Sequence, residues 1–254
     1  MLYIIGMNAK KMQPILSHLR RADEDFGLIS KGDKIAVGLS GGKDSLLLLQ
    51  ALSAYQKFDH TDFELVAVSV DCTGGKADFR EIQKFCTDLG VKFIIVPSNI
   101  FEIIFEVRKE KNPCSLCSKL RRGMLHTAAV DEGCNKVALG HHGDDLVETF
   151  LLSLCYEGRL STFHPSSYLD RTDITLIRPL IYVSEGEIEK LASHLPILKN
   201  PCPVNHHTQR EYMKNLVKKL DAEIPDARKR MLDAITSTDR YNLVPPKKQP
   251  SDER

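Results

Sequence analysis

Apolar positions along this chain fall into two kinds of run. Short, nearly continuous ones at residues 34–39, 63–70, 92–96 and 136–139 read as buried strands. Longer stretches between them read as helices. Residues 46–52 are apolar enough for a core helix, residues 78–89 close at Gly90, residues 116–130 stop near Gly133, and residues 144–155 follow the fourth strand. Residues 9–29 read as one or two helices ahead of the first strand, and Pro97 stops the third. After Pro179 the pattern turns helical, over 184–194, 209–220 and 225–236, and the Pro- and Lys-rich tail 245–254 reads as disordered. Strand alternating with helix predicts an α/β fold, a doubly wound parallel sheet of Rossmann-like type with helical additions at both ends. The expected division is an N-terminal helical segment (1–30), the sheet domain (31–182), a helical C-terminal part (183–240) and a tail (241–254).

Composition bounds the class. Of 254 residues, 42% are hydrophobic and 27% charged, close to globular averages and enough for one large core. No apolar run reaches the ~20 residues of a membrane helix. The start, Met1-Leu2-Tyr3-Ile4-Ile5-Gly6-Met7, is too short and uncharged for a secretory signal. Seven cysteines, an odd number, argue against a disulfide scaffold and for a reducing compartment, so a cytoplasmic protein without a membrane partner is expected. A net charge of +1 leaves any RNA contact to local basic patches. Candidates are Lys10, Lys11, Arg20 and Arg21, then Arg121 and Arg122, then Lys214, Lys218 and Lys219, each of which equally fits a solvated helix face.

Chemistry enters at Ser40-Gly41-Gly42-Lys43-Asp44-Ser45, between the first strand and its helix. Small residues at such a turn let backbone N–H groups approach a phosphate, and the helix start adds about half a positive charge. Lys43 supplies a mobile cation and Asp44 a carboxylate for magnesium. A Walker loop would need glycine and Ser or Thr where Val37 and Asp44 stand. The loop instead resembles the Ser-Gly-Gly-x-Asp-Ser loop of the PP-loop ATP pyrophosphatases, which cleave ATP between the α and β phosphates. A plain Gly-rich connection is the bland alternative. Ser40, Asp71 and Gly140 each follow a strand and so share one sheet edge, where ligands of doubly wound folds sit.

Gly140-His141-His142-Gly143-Asp144-Asp145, with Glu148 a turn on, is the second cluster. Acids at a helix start can be simple caps. Together with two histidines they resemble the His-His-x-Asp-Asp motif of ATP pyrophosphatases that act on tRNA, where the acids serve magnesium or the leaving pyrophosphate.

The third cluster is Cys114-Ser115-Leu116-Cys117, followed by Lys119-Leu120-Arg121-Arg122. On its own the pair fits a redox couple, half a zinc site or two buried thiols. No second C-x-x-C exists, but Cys202 stands in Asn200-Pro201-Cys202-Pro203, and three thiolates can hold a cubic cluster with one iron open. Cys72, Cys86, Cys134 and Cys155 read as ordinary thiols, Cys72 being the one beside Asp71 on the expected active edge. His206 and His207 read as polar or RNA-facing.

These motifs, with Arg178-Pro179-Leu180, resemble in order and spacing the tRNA 2-thiocytidine synthetases (TtcA family) over residues 9–236. The resemblance implies a dimeric enzyme that uses ATP and Mg2+ to adenylate an anticodon-loop cytidine of tRNA and replaces its 2-oxygen with sulfur. It implies a [4Fe-4S] cluster on Cys114, Cys117 and Cys202, and a sulfur donor such as sulfide or a cysteine desulfurase. ATP would lie on Ser40 to Ser45 with Asp71, Gly140 and His141 alongside, and Lys43, Asp44, Asp144 and Asp145 would have catalytic roles. Where some relatives carry another cysteine after the late Pro-Cys, this chain has Pro203-Val204-Asn205. A 2-thiouridine or lysidine synthetase, an amidating ligase, and a non-catalytic ATP-sensing metal protein are the competing readings.

Overall fold

The computed structural model describes residues 3–4, 7–58, 62–107, 113–198, 209–237 and 241. A short antiparallel pair, β1 (Tyr3–Ile4) and β2 (Met7–Asn8), leads into α1 (Ala9–Phe26). There follow β3 (Lys34–Gly38), α2 (Lys43–Phe58), β4 (Glu64–Asp71), α3 (Arg80–Leu89) and β5 (Lys92–Pro97). Then come α4 (Pro113–Asp131), β6 (Lys136–Ala138), α5 (Gly143–Leu152), β7 (Ser166–Leu169) and β8 (Ile174–Ile177). The described chain ends with α6 (Glu185–Leu191), α7 (Gln209–Glu223) and α8 (Ala227–Thr236). Among these residues no helix is long and apolar enough to cross a membrane.

The main sheet has the order β5-β4-β3-β6-β8-β7, parallel except for β7 on the edge. Its two faces follow from the period-2 pleat. Ile35, Val37, Leu65 and Ala67 enter one core, beneath α1, α2 and α3, while Ala36, Val66 and Val68 enter the other, beneath Leu125 and Ala129 of α4. On α1 the buried positions are Met12, Ile15, Leu19 and Ala22, a helical stripe laid on α2. The chain builds β4 and β5 on one side of β3, then crosses to β6 on the other. The β3–β6 boundary is therefore the topological switch point, with its crevice at the carboxyl ends of both strands.

The four expected strands and the doubly wound plan are present. The hairpin of β7 and β8 was not expected, because strands of four residues are too short to show an alternation. Helix α4 begins at Pro113, ahead of the expected 116, because proline has no N–H to lose in a first turn. That shift puts Cys114 on the helix together with Cys117. Residues 209–223 and 227–236 form the expected late helices, packed on α5 and on each other. The expected disordered tail lies outside the described residues.

The opposite end of the sheet is pinned by one buried carboxylate. Asp33 accepts from Lys136 Nζ at 2.6 Å, Ser30 N at 2.6 Å and Asn135 Nδ2 at 2.7 Å, tying β3 to β6. Burial by itself would raise its pKa, but these partners outweigh burial and hold it below 3.8. The stabilisation is therefore complete above the unfolded-state pKa and is lost as pH falls through the folded one. Asp33→Ala should cost about 3 kcal/mol, since it leaves the largely buried Lys136 ammonium with the Leu28 carbonyl as its remaining partner. Urea unfolding at pH 7 and pH 3 checks this: the gap between variant and parent should narrow at the lower pH, and an equal gap at both would refute the assignment.

Candidate active site

The loop 40–45 turns from β3 into α2 at the switch point. Ser45 Oγ staples it, accepting from Ser40 N at 3.1 Å and donating to Gly42 O at 3.0 Å, with Ser40 Oγ 3.1 Å away. Gly41 has φ +81°, and a Cβ there would lie 2.7 Å from Leu198 Cβ, so two constraints select glycine. Leu198 N also donates to Gly41 O at 2.9 Å. The first amides of α2 are left facing the crevice, the arrangement that receives phosphate. Lys43 Nζ lies 3.1 Å from Glu185 Oε1, and Lys214 Nζ reaches the same oxygen at 2.7 Å. Burial would raise the Glu185 pKa, but the two lysines hold it down at about 2.

The loop after β6 closes on this cradle. A Cβ at Gly140 would sit 3.0 Å from the carbonyl carbon of Asp44 and the amide nitrogen of Ser45, both backbone atoms. The buried His142 ring then lies among three carboxylates, 3.9 Å from Asp44 Oδ1, 3.7 Å from Asp144 Oδ2 and 3.4 Å from Asp145 Oδ2. Asp145 caps α5 by accepting from His142 N at 3.1 Å and also binds Arg210 Nη1 at 3.0 Å. Glu148, buried beside Asp145, has its pKa pushed up to about 7 by burial first and by that carboxylate second. His141, its ring tilted against Phe163 at 5.2 Å between centroids, is driven down to about 4 by burial and is neutral at physiological pH.

Buried Asp44 Oδ1 accepts no aligned hydrogen bond, although Lys43 Nζ is 3.1 Å away. A carboxylate oxygen beside a phosphate cradle, held only by ion pairs to Lys43 and His142, is a ligand suited to magnesium.

A cavity of about 860 Å³ opens from this loop along the strand ends and is lined by Ser40, Asp44, Cys72, His141 and Arg178. Its far wall is the first turns of α4, with Cys114, Cys117, Arg121 and Arg122, and Arg210 joins the rim. Such a wall suits a polyanion. Arg178, buried over Phe163 at 4.9 Å, donates to the His164 carbonyl but leaves Nε unpartnered. The neighbouring Cys72 draws the Cys117 thiol down to about 6 against the effect of burial, with Arg121 assisting. Cys117 and burial together push Cys72 up. Two thiols one turn apart on the cavity wall, Cys117 and the exposed Cys114, are the donor chemistry an iron–sulfur cluster requires.

The structure thus brings Ser40, Asp44, Ser45, Gly140, His141, Asp145, Cys114 and Cys117 to one cavity. Asp144 is turned away from it: Oδ2 accepts from Glu185 N at 2.7 Å and lies 3.5 Å from Arg228 Nη1. Asp71 stands on the expected edge, but its carboxylate is taken by Thr73 N, Thr73 Oγ1 and Gly75 N at 2.8, 2.6 and 2.8 Å. Cys202, His206 and His207 lie outside the described residues. Sequence reasoning missed Glu185, whose contact with Lys43 has no local signal; Cys72, singled out for its place beside Asp71, lines the cavity.

A phosphate cradle at the switch point, closed by an acidic helix start, defines an ATP-using protein of the PP-loop class. The PP-loop domain family matches residues 10–220. A tRNA-cytidine(32) 2-sulfurtransferase of Pelobacter propionicus is 40% identical, over 91% of this chain and 89% of its own. One from Geobacter metallireducens is 38% identical, over 94% and 95%. The solved U34-tRNA thiolase NcsA from Methanococcus maripaludis with its [4Fe-4S] cluster superposes with a TM-score of 0.72 at 25% identity, covering 89% of this chain and 77% of that one. The chain belongs to the tRNA-cytidine(32) 2-sulfurtransferase family of PP-loop proteins.

Backbone atoms cannot yield to a methyl group at position 140, so Gly140→Ala should force the two loops apart at a cost of about 1–3 kcal/mol. If that cost falls on the cradle, the Kd for ATP rises roughly tenfold per 1.4 kcal/mol, as read by calorimetric titration. Unchanged affinity and unchanged Tm together would show that the approach is not a constraint.

Proposed function

We propose that this chain is an ATP-dependent tRNA sulfurtransferase that activates the 2-carbonyl of cytidine 32 with AMP and replaces its oxygen with sulfur. One observation carries the reading: the phosphate loop and the thiols of Cys114 and Cys117 open into the same arginine-walled cavity. Family membership supplies the substrate, since the curated relatives are named for cytidine 32.

In the first half-reaction the carbonyl oxygen attacks the α-phosphorus of ATP, and the α–β bridging bond breaks. Charge builds on the departing pyrophosphate, where the loop amides and Lys43 meet it. Lys43 is free to swing to the phosphates because Glu185 keeps Lys214 as its partner. Asp44 and Asp145, on the cavity wall, are the carboxylates suited to Mg2+, which neutralises phosphate charge. In the second half, sulfur adds at C2, the C2–O bond breaks, and AMP leaves with the oxygen. A [4Fe-4S] cluster, when bound, supplies iron able to carry sulfide.

Cys114, Cys117 and Cys202 are proposed as its ligands. Supporting Cys202, both described flanks of its segment are tied to the site, Leu198 to Gly41 and Arg210 to Asp145. Four residues from Leu198 give it a reach of at most about 14 Å. We further assign a cytoplasmic location, sulfide or a cysteine desulfurase as sulfur source, and a homodimer. The half-exposed edge strand β5, with Ile95 at the surface, offers apolar area for a second copy.

Mass spectrometry of tRNA nucleosides from cells with and without the gene provides the test. Selective loss of 2-thiocytidine is expected, restored by the intact gene and not by Cys114→Ser or Cys202→Ser. Both variants should bind ATP with the parent's affinity. Unchanged 2-thiocytidine in the deletion would overturn the substrate, and equal loss of ATP binding in the variants would overturn the separation of roles.

A further inference from the structure

Glu185 reaches the phosphate loop from the start of α6, and its backbone is fixed from several sides. Its amide donates to Asp144 Oδ2 at 2.7 Å, and Ser184 before it is locked in a reciprocal cap with Glu187. Gly143 N donates to Val183 O at 2.9 Å, which ties the start of α6 to that of α5. Ile188 and Leu191 seat the helix in the core. The Glu185 side chain is only 13% exposed, and one oxygen, Oε1, takes both Lys43 Nζ at 3.1 Å and Lys214 Nζ at 2.7 Å. Lys43 Nζ is also 3.1 Å from Asp44 Oδ1, so the loop lysine stands between two carboxylates. A lysine ammonium is a point charge on a flexible stem, and an anion fixed beside it competes with any phosphate for it.

We propose that Glu185 is a positioning residue that competes with the phosphates of ATP for Lys43 and thereby sets nucleotide affinity. This rests on the ATP reading of the site. Glu185 draws Lys43 back from the cradle when no phosphate lies there and yields it when the β and γ phosphates arrive. Lys214 lets the exchange run in both directions, because its closer contact keeps the carboxylate paired after Lys43 leaves. The same pull acts on the product side: as pyrophosphate departs, Glu185 takes the lysine back and favours release.

The test is calorimetric titration of the full-length chain, without tRNA, using magnesium ATP and, separately, AMP. Glu185→Gln keeps the shape and removes the charge. It should tighten ATP roughly three- to fivefold and leave AMP, which has no β or γ phosphate, unchanged. Lys214→Met removes the competitor for Glu185 and should weaken ATP by a similar factor. Both shifts should vanish in a Lys43→Ala background, titrated at higher nucleotide concentration, because they act through that ammonium. A merely structural Glu185 would move ATP and AMP together, with or without Lys43. Circular dichroism reports whether each variant is folded, and should Glu185→Gln not fold, Lys214→Met with its Lys43→Ala control decides the matter. Weaker ATP binding by Glu185→Gln, or a shift that persists without Lys43, would overturn the proposal. A parent that binds ATP alongside variants that match it would overturn the proposal alone, whereas a parent that binds no ATP would overturn the reading of the site as well.

Discussion

Contact between the end of β6 and the first turn of α2 is the constraint on which the site depends. Two strands that neighbour each other in the sheet, but whose connections run in opposite directions, leave a crevice only if their loops do not fill it. Here the loops meet backbone to backbone at Gly140 and Asp44–Ser45, with no room for a side chain. The phosphate cradle and the acidic start of α5 are thereby held in fixed relation, and His142 is brought among carboxylates from both. Either loop alone would be an ordinary strand-to-helix turn.

Charge then keys the later helices to this junction. Carboxylates at the start of α5 and α6 are met by Arg210 and Lys214 of α7 and by Arg228 of α8. The C-terminal helices are therefore oriented by acids of this one junction, of which Asp145 alone also lines the cavity. This explains why two neighbouring aspartates part ways, Asp145 facing the cavity and Asp144 holding α6 and α8.

Much of this was legible in the sequence, for physical reasons. Strands β3 and β4 are buried on both faces and read as continuous apolar runs, and the loop 40–45 is local chemistry in consecutive residues. What escaped was whatever depends on distance in the chain. Strands β7 and β8 owe their pairing to the sheet edge rather than to any periodicity of their own. The Lys43–Glu185 pair joins residues 142 positions apart. Asp71 stood where expected, yet its carboxylate is taken by the turn that follows it.

Helix α4 covers one face of the sheet and also carries two of the three cavity cysteines, Cys114 and Cys117, so these thiols inherit their positions from core packing rather than from a loop. Each residue advances a helix by about 1.5 Å and turns it by about 100°. An insertion or deletion of one residue between Cys117 and Leu125 would leave the core contacts intact and swing both thiols off the cavity wall. Length variation within the family should therefore be excluded from that short stretch, while substitutions on its solvent side remain free.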